Sequence, residues 1–233
     1  MGKELDESFV GDGYTLNVRG AAASDKTLFL LYDVTFTEEF LADNAISEED
    51  MQGPSCFIMT GSSSTGTDAM YMSEGNTYSF YQLYHSHDES LAGKTAEVEF
   101  RNIHVGNDIT IPCDHRFKLN IDFATTDNVG VYGLHMPIKV GEETIMLDKI
   151  VYDAFSIEFI SNGVTPNSHG EIWDTLFTGH INKTDGTQVS LLSAGGMADG
   201  NTGVGSFIAD YALPILPEEI ESITFGEYTI PLT

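Results

Sequence analysis

The tightest grouping of chemically capable side chains is His85-Ser86-His87-Asp88. Residues two apart on a strand share a face, so both imidazoles could reach one metal ion, as an H-x-H pair does in zinc sites. A closed site needs further ligands. Asp88 points the other way if the strand continues, and no spacing rule ties Glu89, His104 or His115 to the pair. The simpler reading is a polar loop that follows the aromatic run Tyr78–Tyr84. Cys56 and Cys113 match neither C-x-x-C nor a Cys/His zinc spacing. They read as two buried free thiols, the usual state of unpaired cysteine, with a single long-loop disulfide as the alternative.

Other catalytic patterns are missing or fragmentary. There is no G-x-S-x-G nucleophile elbow, and Ser168-His169 lies in a polar stretch, Thr165-Pro166-Asn167-Ser168-His169-Gly170. Paired carboxylates of the glycosidase kind cannot be singled out among 36 Asp and Glu residues. No D-x-D-x-D-G calcium loop occurs, and Asp199-Gly200-Asn201 and Asp12-Gly13 read as turns. Neither a phosphate-binding G-x-x-x-x-G-K-[ST] nor a dinucleotide-binding glycine pattern is present; Gly203-Val204-Gly205 lacks the rest of that motif. No residue is therefore assigned a catalytic, cofactor-binding or metal-ligating role, and the chain is read as non-enzymatic with no cofactor.

Aromatic residues offer a different handle. Tyr71, Tyr78, Phe80, Tyr81 and Tyr84 crowd one region, with Trp173 elsewhere. Strand alternation sets Tyr78 and Phe80 on one face and Tyr81 on the other, so part of the group is expected to be available for recognition, although core packing accounts for most of it.

The elements that would position these groups are strands. Period-two alternation runs through Tyr14–Val18, Thr27–Phe36, Ala96–Ile103, Phe117–Phe123, Lys139-Val140, Glu143–Leu147, Ile150–Tyr152 and Phe155–Phe159. Later strands are read over Thr175–Ile181, Thr187–Leu192, Gly205–Ala209, Ser222–Phe225 and Tyr228–Leu232. Asp185-Gly186 is the strongest hairpin signal and suggests a type I′ turn, which needs positive φ at both central positions. Helix signals are confined to Glu38–Asp50 and to Pro217–Glu221, where proline and the following acids suit a helical start. The glycine-rich stretches Gly61–Thr67 and Gly195–Gly205 read as loops. Many short strands separated by turns imply an all-β protein, two immunoglobulin-like β-sandwiches in tandem with few short helices, divided as residues 1–114 and 115–233.

Charge narrows the partners. With 10 Lys and Arg against 36 Asp and Glu, the net charge is −26. A chain that acidic cannot neutralise nucleic-acid phosphates or grip an anionic lipid surface without sequence-specific help. No apolar run approaches the ~20 residues of a membrane span, so no direct membrane insertion is expected. Met1-Gly2-Lys3 leads at once into Glu4-Leu5-Asp6-Glu7, without the apolar stretch of a signal peptide. A hydrophobic content of 41% nevertheless suffices for packed cores, so the acidity decorates a folding chain.

The order of elements resembles the extracytoplasmic region of membrane-anchored anti-sigma-factor-like proteins of Gram-positive bacteria. The opening DGYTLNVRGAAASDKTLFLLYDVTF (Asp12–Phe36) resembles that family's strand, small-residue turn and long strand. AEVEFRNIHV (Ala96–Val105), FKLNIDF (Phe117–Phe123) and IMLDKIVYDAFSIEF (Ile145–Phe159) are similar to later strands of the family. LPILPEEIESITFGEYTIPL (Leu213–Leu232) resembles its ending. Phe117 stands where the family usually carries tryptophan, and the cytoplasmic sigma-binding helices lie outside this chain. The resemblance implies a pair of immunoglobulin-like ectodomains, largely of unknown function, held at the cell surface by a membrane anchor in a segment absent from this chain. The expected role is sensing or binding an unknown extracellular ligand or protein. The alternative is a cell-surface adhesin or carbohydrate-binding module, in a calcium-dependent or calcium-independent form.

Overall fold

The computed structural model describes residues 2–44, 46, 51–61, 64–87, 89–106, 109–124, 129–165, 172, 175, 178–199, 201–211 and 214–232. The chain is all-β; its helical residues among those described are a short helix, a 3-10 turn, and Ile172 and Thr175. It divides into two compact units, Met1–Thr125 and Thr126–Thr233. The division expected after residue 114 would cut the strand Ile109–Asn120, which is paired with Thr95–Val105 from Val105↔Ile109 to Thr95↔Asn120. That ladder keeps the whole strand with the first unit.

The N-terminal unit contains β1 (Gly2–Val10), β2 (Tyr14–Ala23), β3 (Thr27–Phe36), β4 (Met51–Met59), β5 (Ser64–Glu74), β6 (Thr77–Ser86), β7 (Thr95–Val105) and β8 (Ile109–Asn120). Five form a sheet in the order β1-β2-β3-β6-β5, and three form a sheet in the order β4-β7-β8. All pairings are antiparallel. The strand expected over Thr27–Phe36 is β3 itself, and its buried positions Leu28, Leu30, Tyr32, Val34 and Phe36 follow the two-residue period. These residues share one core with Val98 and Phe100 of β7 and with Ile111 and Leu119 of β8. The Tyr32 ring joins the two sheets: it stacks on Phe80 of β6 at 5.6 Å and meets the edge of Phe100 at 4.9 Å.

Helix α1 (Glu38–Asn44) occupies the first half of the acidic stretch read as helical, while residues 47–50 of that stretch lie outside the described residues. Pro217–Glu219 forms a single 3-10 turn with proline in its first turn.

The C-terminal unit is built from β9 (Gly130–Val140), β10 (Glu143–Tyr152), β11 (Ser156–Asn162), β12 (His180–Lys183), β13 (Gln188–Asp199), β14 (Val204–Tyr211), β15 (Ile220–Phe225) and β16 (Tyr228–Pro231). They form one sheet in the order β16-β15-β12-β13-β14-β11-β10-β9. Strand β13 bends the sheet: its first residues pair with β12 and the remainder with β14. As a result Phe159 of β11 meets Phe225 of β15 edge-to-face at 5.4 Å. The two ends of the sheet also approach each other. The Lys139 amide of β9 donates to the Tyr228 hydroxyl of β16 at 2.8 Å, and Tyr152 Oη donates to the Leu232 carbonyl at 3.1 Å. The apolar faces enclose Ile138, Ile145, Ile157, Phe207, Ile223 and Ile230.

Two expected loops are in fact paired strand. Ser64–Thr67 belongs to β5, and much of Gly195–Gly205 belongs to β13 and β14. Glycine there serves close packing rather than mobility, since a Cβ on Gly66 would stand 2.7 Å from the Leu83 carbonyl oxygen. Of the strand read over Thr175–Ile181, His180 and Ile181 lie in β12, Thr175 is helical, and residues 176–177 lie outside the described residues. The Asp185-Gly186 hairpin also takes a different form. Gly186 has φ +83°, but Asp185 is not in the left-handed region. Gly186 donates to the Lys183 carbonyl and Lys183 donates to the Thr187 carbonyl, each at 2.9 Å. That is a three-residue connection whose glycine supplies the single positive φ. Asp185 Oδ1 accepts from the Thr187 amide and hydroxyl, which fixes the turn without a second left-handed residue.

The Tyr32 hydroxyl is fully buried and has no hydrogen-bond partner among the described residues. Burial, with Cys56, Asp68 and Cys113 nearby, pushes its pKa upward, so it stays neutral. Because an unsatisfied buried hydroxyl costs about 1–3 kcal/mol, Tyr32→Phe is expected to hold or raise the thermal midpoint. Phe100→Ala, which empties the other half of the same ring contact, is expected to cost roughly 3–5 kcal/mol. Chemical denaturation of both variants checks the contrast, and a Tyr32→Phe loss as large as that of Phe100→Ala would contradict it.

Candidate functional site

His85 and His87 do not form the open pair considered from their spacing. His85 lies near the end of β6, is buried, and has Nδ1 3.1 Å from the Thr27 hydroxyl on β3. His87 follows the strand in a bend, where its carbonyl accepts from Lys26 Nζ at 3.2 Å. The three residues considered as further ligands are placed elsewhere. Glu89 is ion-paired with Lys94, His104 lies 3.4 Å from the Thr110 hydroxyl, and His115 stacks on Phe9 at 4.8 Å. Among the described residues, no three His, Cys, Asp or Glu side chains gather as a metal site. Asp88, Ser168, His169 and Trp173 lie outside the described residues. In the Asp199 turn, one carboxylate oxygen accepts from the Asn201 amide and the other from the Thr202 hydroxyl, each at 2.9 Å.

Cys56 and Cys113 are free thiols. They sit on β4 and β8, on either side of β7. Two strand spacings separate their backbones by about 9.6 Å, beyond the ~7 Å reach of a disulfide. Burial pushes both thiols up, away from the reactive thiolate form. Tyr14 Oη, beside Cys113, donates to the Pro112 carbonyl at 3.1 Å and lies 3.1 Å from His115 Nε2. Burial also lowers the His115 pKa, so this corner of the core holds neutral groups.

The aromatic run on β6 is buried on both faces. Tyr78, Phe80 and Tyr84 face the shared core, while Tyr81 stacks on Phe29 at 5.6 Å on the opposite face. The member at the surface is Tyr71 of β5, 42% exposed and 6.4 Å from Tyr81.

The most organised exposed surface is the outer face of the β4-β7-β8 sheet. Alternation sends Ala96, Val98 and Phe100 inward, so Glu97, Glu99 and Arg101 point outward. On β8, Asp114, Arg116 and Lys118 take the same side, and on β4 so do Phe57 and Met59. Register sets Glu97 opposite Lys118, Glu99 opposite Arg116 and Arg101 opposite Asp114, so three successive β7–β8 pairs on this face each join opposite charges.

Glu99 organises the face. Its side chain is only 2% exposed although it lies on the outer side, because two guanidinium groups and their stems cover it. Arg101 Nε and Nη2 each donate to one of its oxygens at 2.7 Å, and Arg116 Nη2 lies 2.6 Å from Oε1. The hydrogen bond from Arg101, followed by the charges of both arginines, holds the Glu99 carboxyl below its ordinary value despite desolvation. The bidentate geometry fixes Arg101 over the Phe57 ring, with its guanidinium carbon 4.8 Å from the centroid. Phe57 and Met59 remain 44% exposed beside it. A rigid arginine, an aromatic ring and a methionine around a desolvated ion pair are the composition of a protein-recognition surface. The alternating charges Glu97-Val98-Glu99-Phe100-Arg101 and Asp114-His115-Arg116-Phe117-Lys118 are the sequence signal for this ladder, which a search for catalytic motifs passes over.

The sign of the pH dependence follows from the depressed Glu99 pKa. Such a carboxylate stabilises the fold above its unfolded value and loses that contribution as pH falls through the lower folded value. Glu99→Gln is therefore expected to destabilise the chain at neutral pH. The gap to the native chain should close as pH drops below the ordinary glutamate value of 4.5. Denaturant midpoints measured across that range check this; a gap that persists unchanged in acid would contradict it.

Among the described residues no helix is long and apolar enough to cross a membrane. No family model matches the chain, and no curated protein matches it. Among solved structures, the chain is similar to one described as the conserved domain protein from Bacillus anthracis. The TM-score is 0.62 at 15% identity, covering 95% of this chain and 75% of the other. At that identity the likeness concerns the fold alone.

Proposed function

We infer that the chain is a non-enzymatic, extracytoplasmic binding module: two immunoglobulin-like sandwiches in tandem, belonging to a membrane-anchored anti-sigma-like signalling protein. The observation that carries the binding role is the outer face of β4, β7 and β8, where buried Glu99 fixes Arg101 over exposed Phe57. Its partner is a protein surface offering a carboxylate to the remaining guanidinium donors next to an apolar side chain for Phe57 and Met59. Three of the chain's ten cations, Arg101, Arg116 and Lys118, are gathered here and balance Glu97, Glu99 and Asp114, so an acidic group meets less repulsion on this face than elsewhere on a strongly negative protein. The five-on-three arrangement of strands around one core supports the sandwich reading of the N-terminal unit. The order of sequence motifs supports the signalling context.

A second reading, a cell-surface adhesin or carbohydrate-binding module, draws on one observation: Tyr71 presents an aromatic ring at the surface, braced from behind by Tyr81.

The test uses the full-length gene product in intact cells. A membrane-impermeant amine label is expected to reach the exposed Lys118 before lysis, and labelling only after lysis would overturn the extracytoplasmic placement. A photocrosslinker at Met59 is expected to give a protein adduct that Arg101→Glu abolishes. An adduct indifferent to Arg101→Glu would remove this face from the binding role. A calcium-dependent rise in thermal midpoint, or glycan binding lost in Tyr71→Ala, would favour the second reading.

A further inference from the structure

The two sheets of the N-terminal unit and the curled sheet of the C-terminal unit leave six terminal strands: β1, β5, β4, β8, β9 and β16. An edge strand offers unpaired backbone groups to any extended chain, and proteins guard such edges with proline, charge or irregularity. Four of the six contain proline: Pro54 in β4, Pro112 in β8, Pro137 in β9 and Pro231 in β16. β1 carries Lys3, Glu4, Asp6 and Glu7 along its exposed length. β5 has no proline, and its charges are two acids, Asp68 and Glu74. Its one irregularity is the bulge between Met70 and Met72. Before that bulge, Ser64–Met70 keeps unbroken register with β6, from Ser64↔Ser86 to Met70↔Phe80. The bulge turns Tyr71 and Met72 to the surface, 42% and 45% exposed.

We propose that β5 is a strand-addition edge that takes an extended segment of a partner protein bearing lysine or arginine among apolar residues. This inference stands independently of the β4-β7-β8 face. Backbone pairing along Ser64–Met70 supplies the recognition, and Tyr71 and Met72 supply an apolar stop at the bulge. The cationic character of the partner follows from charge. β5 contains no Lys or Arg, and among the described residues no cation pairs with Asp68. A lysine set across from Asp68 completes an opposite-charge pair on the added strand. A second copy of this chain is the disfavoured occupant, because it would bring another charge of −26 and another uncompensated Asp68 to the same edge.

The probe is a short capped peptide of alternating valine and threonine with interspersed lysines. Its control is the same peptide N-methylated at alternate residues, which keeps charge and composition but cannot pair along a strand edge. Titration against the intact chain at physiological salt is expected to show the control binding at least about tenfold more weakly. Asp68→Asn, whose folding circular dichroism checks, is expected to weaken the unmodified peptide by roughly two- to fivefold. Hydrogen exchange is expected to slow on β5 and not on β1. Equal binding of the two peptides, no binding of either, or protection located on another edge would each overturn the proposal. So would sedimentation of the chain alone as a dimer with β5 already protected, which would assign the edge to a second copy.

Discussion

The N-terminal unit depends on the meeting of two sheets around Tyr32. A sheet buries one face only if another layer covers it, and Tyr32 links the layers through ring contacts to Phe80 within its own sheet and to Phe100 across the core. The contact requires β3 to present every second residue inward along its length, and the sequence Thr27–Phe36 does so without interruption. Once β3 is set, β6 and β2 take their places by register on either side of it. The cost of the arrangement is a hydroxyl in an apolar layer, beside thiols that burial keeps protonated. Phenylalanine would serve the packing as well, so packing alone does not explain why tyrosine stands there.

The C-terminal unit meets the same requirement by another route. Instead of two separate sheets it bends one, with β13 pairing on each side of the bend, until Phe159 and Phe225 touch. Because β9 and β16 end this sheet, the hydrogen bond between them from the Lys139 amide to the Tyr228 hydroxyl limits the exposure of the terminal strands. Proline in both, Pro137 and Pro231, removes an amide from each remaining edge. The tandem sequence pattern thus hides two different solutions to one burial problem.

What the sequence made legible follows the strength of alternation. β3, β7, β10 and the paired β15 and β16 were readable because one face of each is core, and a two-residue apolar period is the direct imprint of that burial. β1 and β5 were not, because an edge strand with much of its length in solvent needs no apolar period; its evidence is a backbone ladder that side chains do not encode. Gly66 shows how composition misleads: a residue typical of loops is required where the strands approach closely. The candidate face escaped for a related reason. Histidines drew attention through their chemistry, yet His85 is a buried strand residue beside Thr27. The organised polar group was instead an outward-pointing glutamate that disappears from solvent only when β8 brings Arg116 alongside it. No local window contains both partners.

In the proposed binding role, Glu99 is what allows so acidic a chain to present this face. Acids dispersed over a fold repel a neutral or acidic partner through the summed field, so recognition needs a region where that field is cancelled. On the β4-β7-β8 face Glu97, Glu99 and Asp114 are matched by Lys118, Arg116 and Arg101 in register, which makes the face locally neutral. Cancellation alone would leave flexible charges that water screens and that contribute little. Burying one carboxylate under two arginines changes that. It fixes the guanidinium planes, withdraws the charge most repulsive to an acidic partner, and leaves Phe57 and Met59 as the apolar part of the surface. Replacing Glu99 with a neutral side chain would therefore make the face more positive yet less ordered. Whether binding strengthens or weakens in that variant separates attraction by net charge from recognition by a rigid arginine, and the bidentate geometry argues for the second.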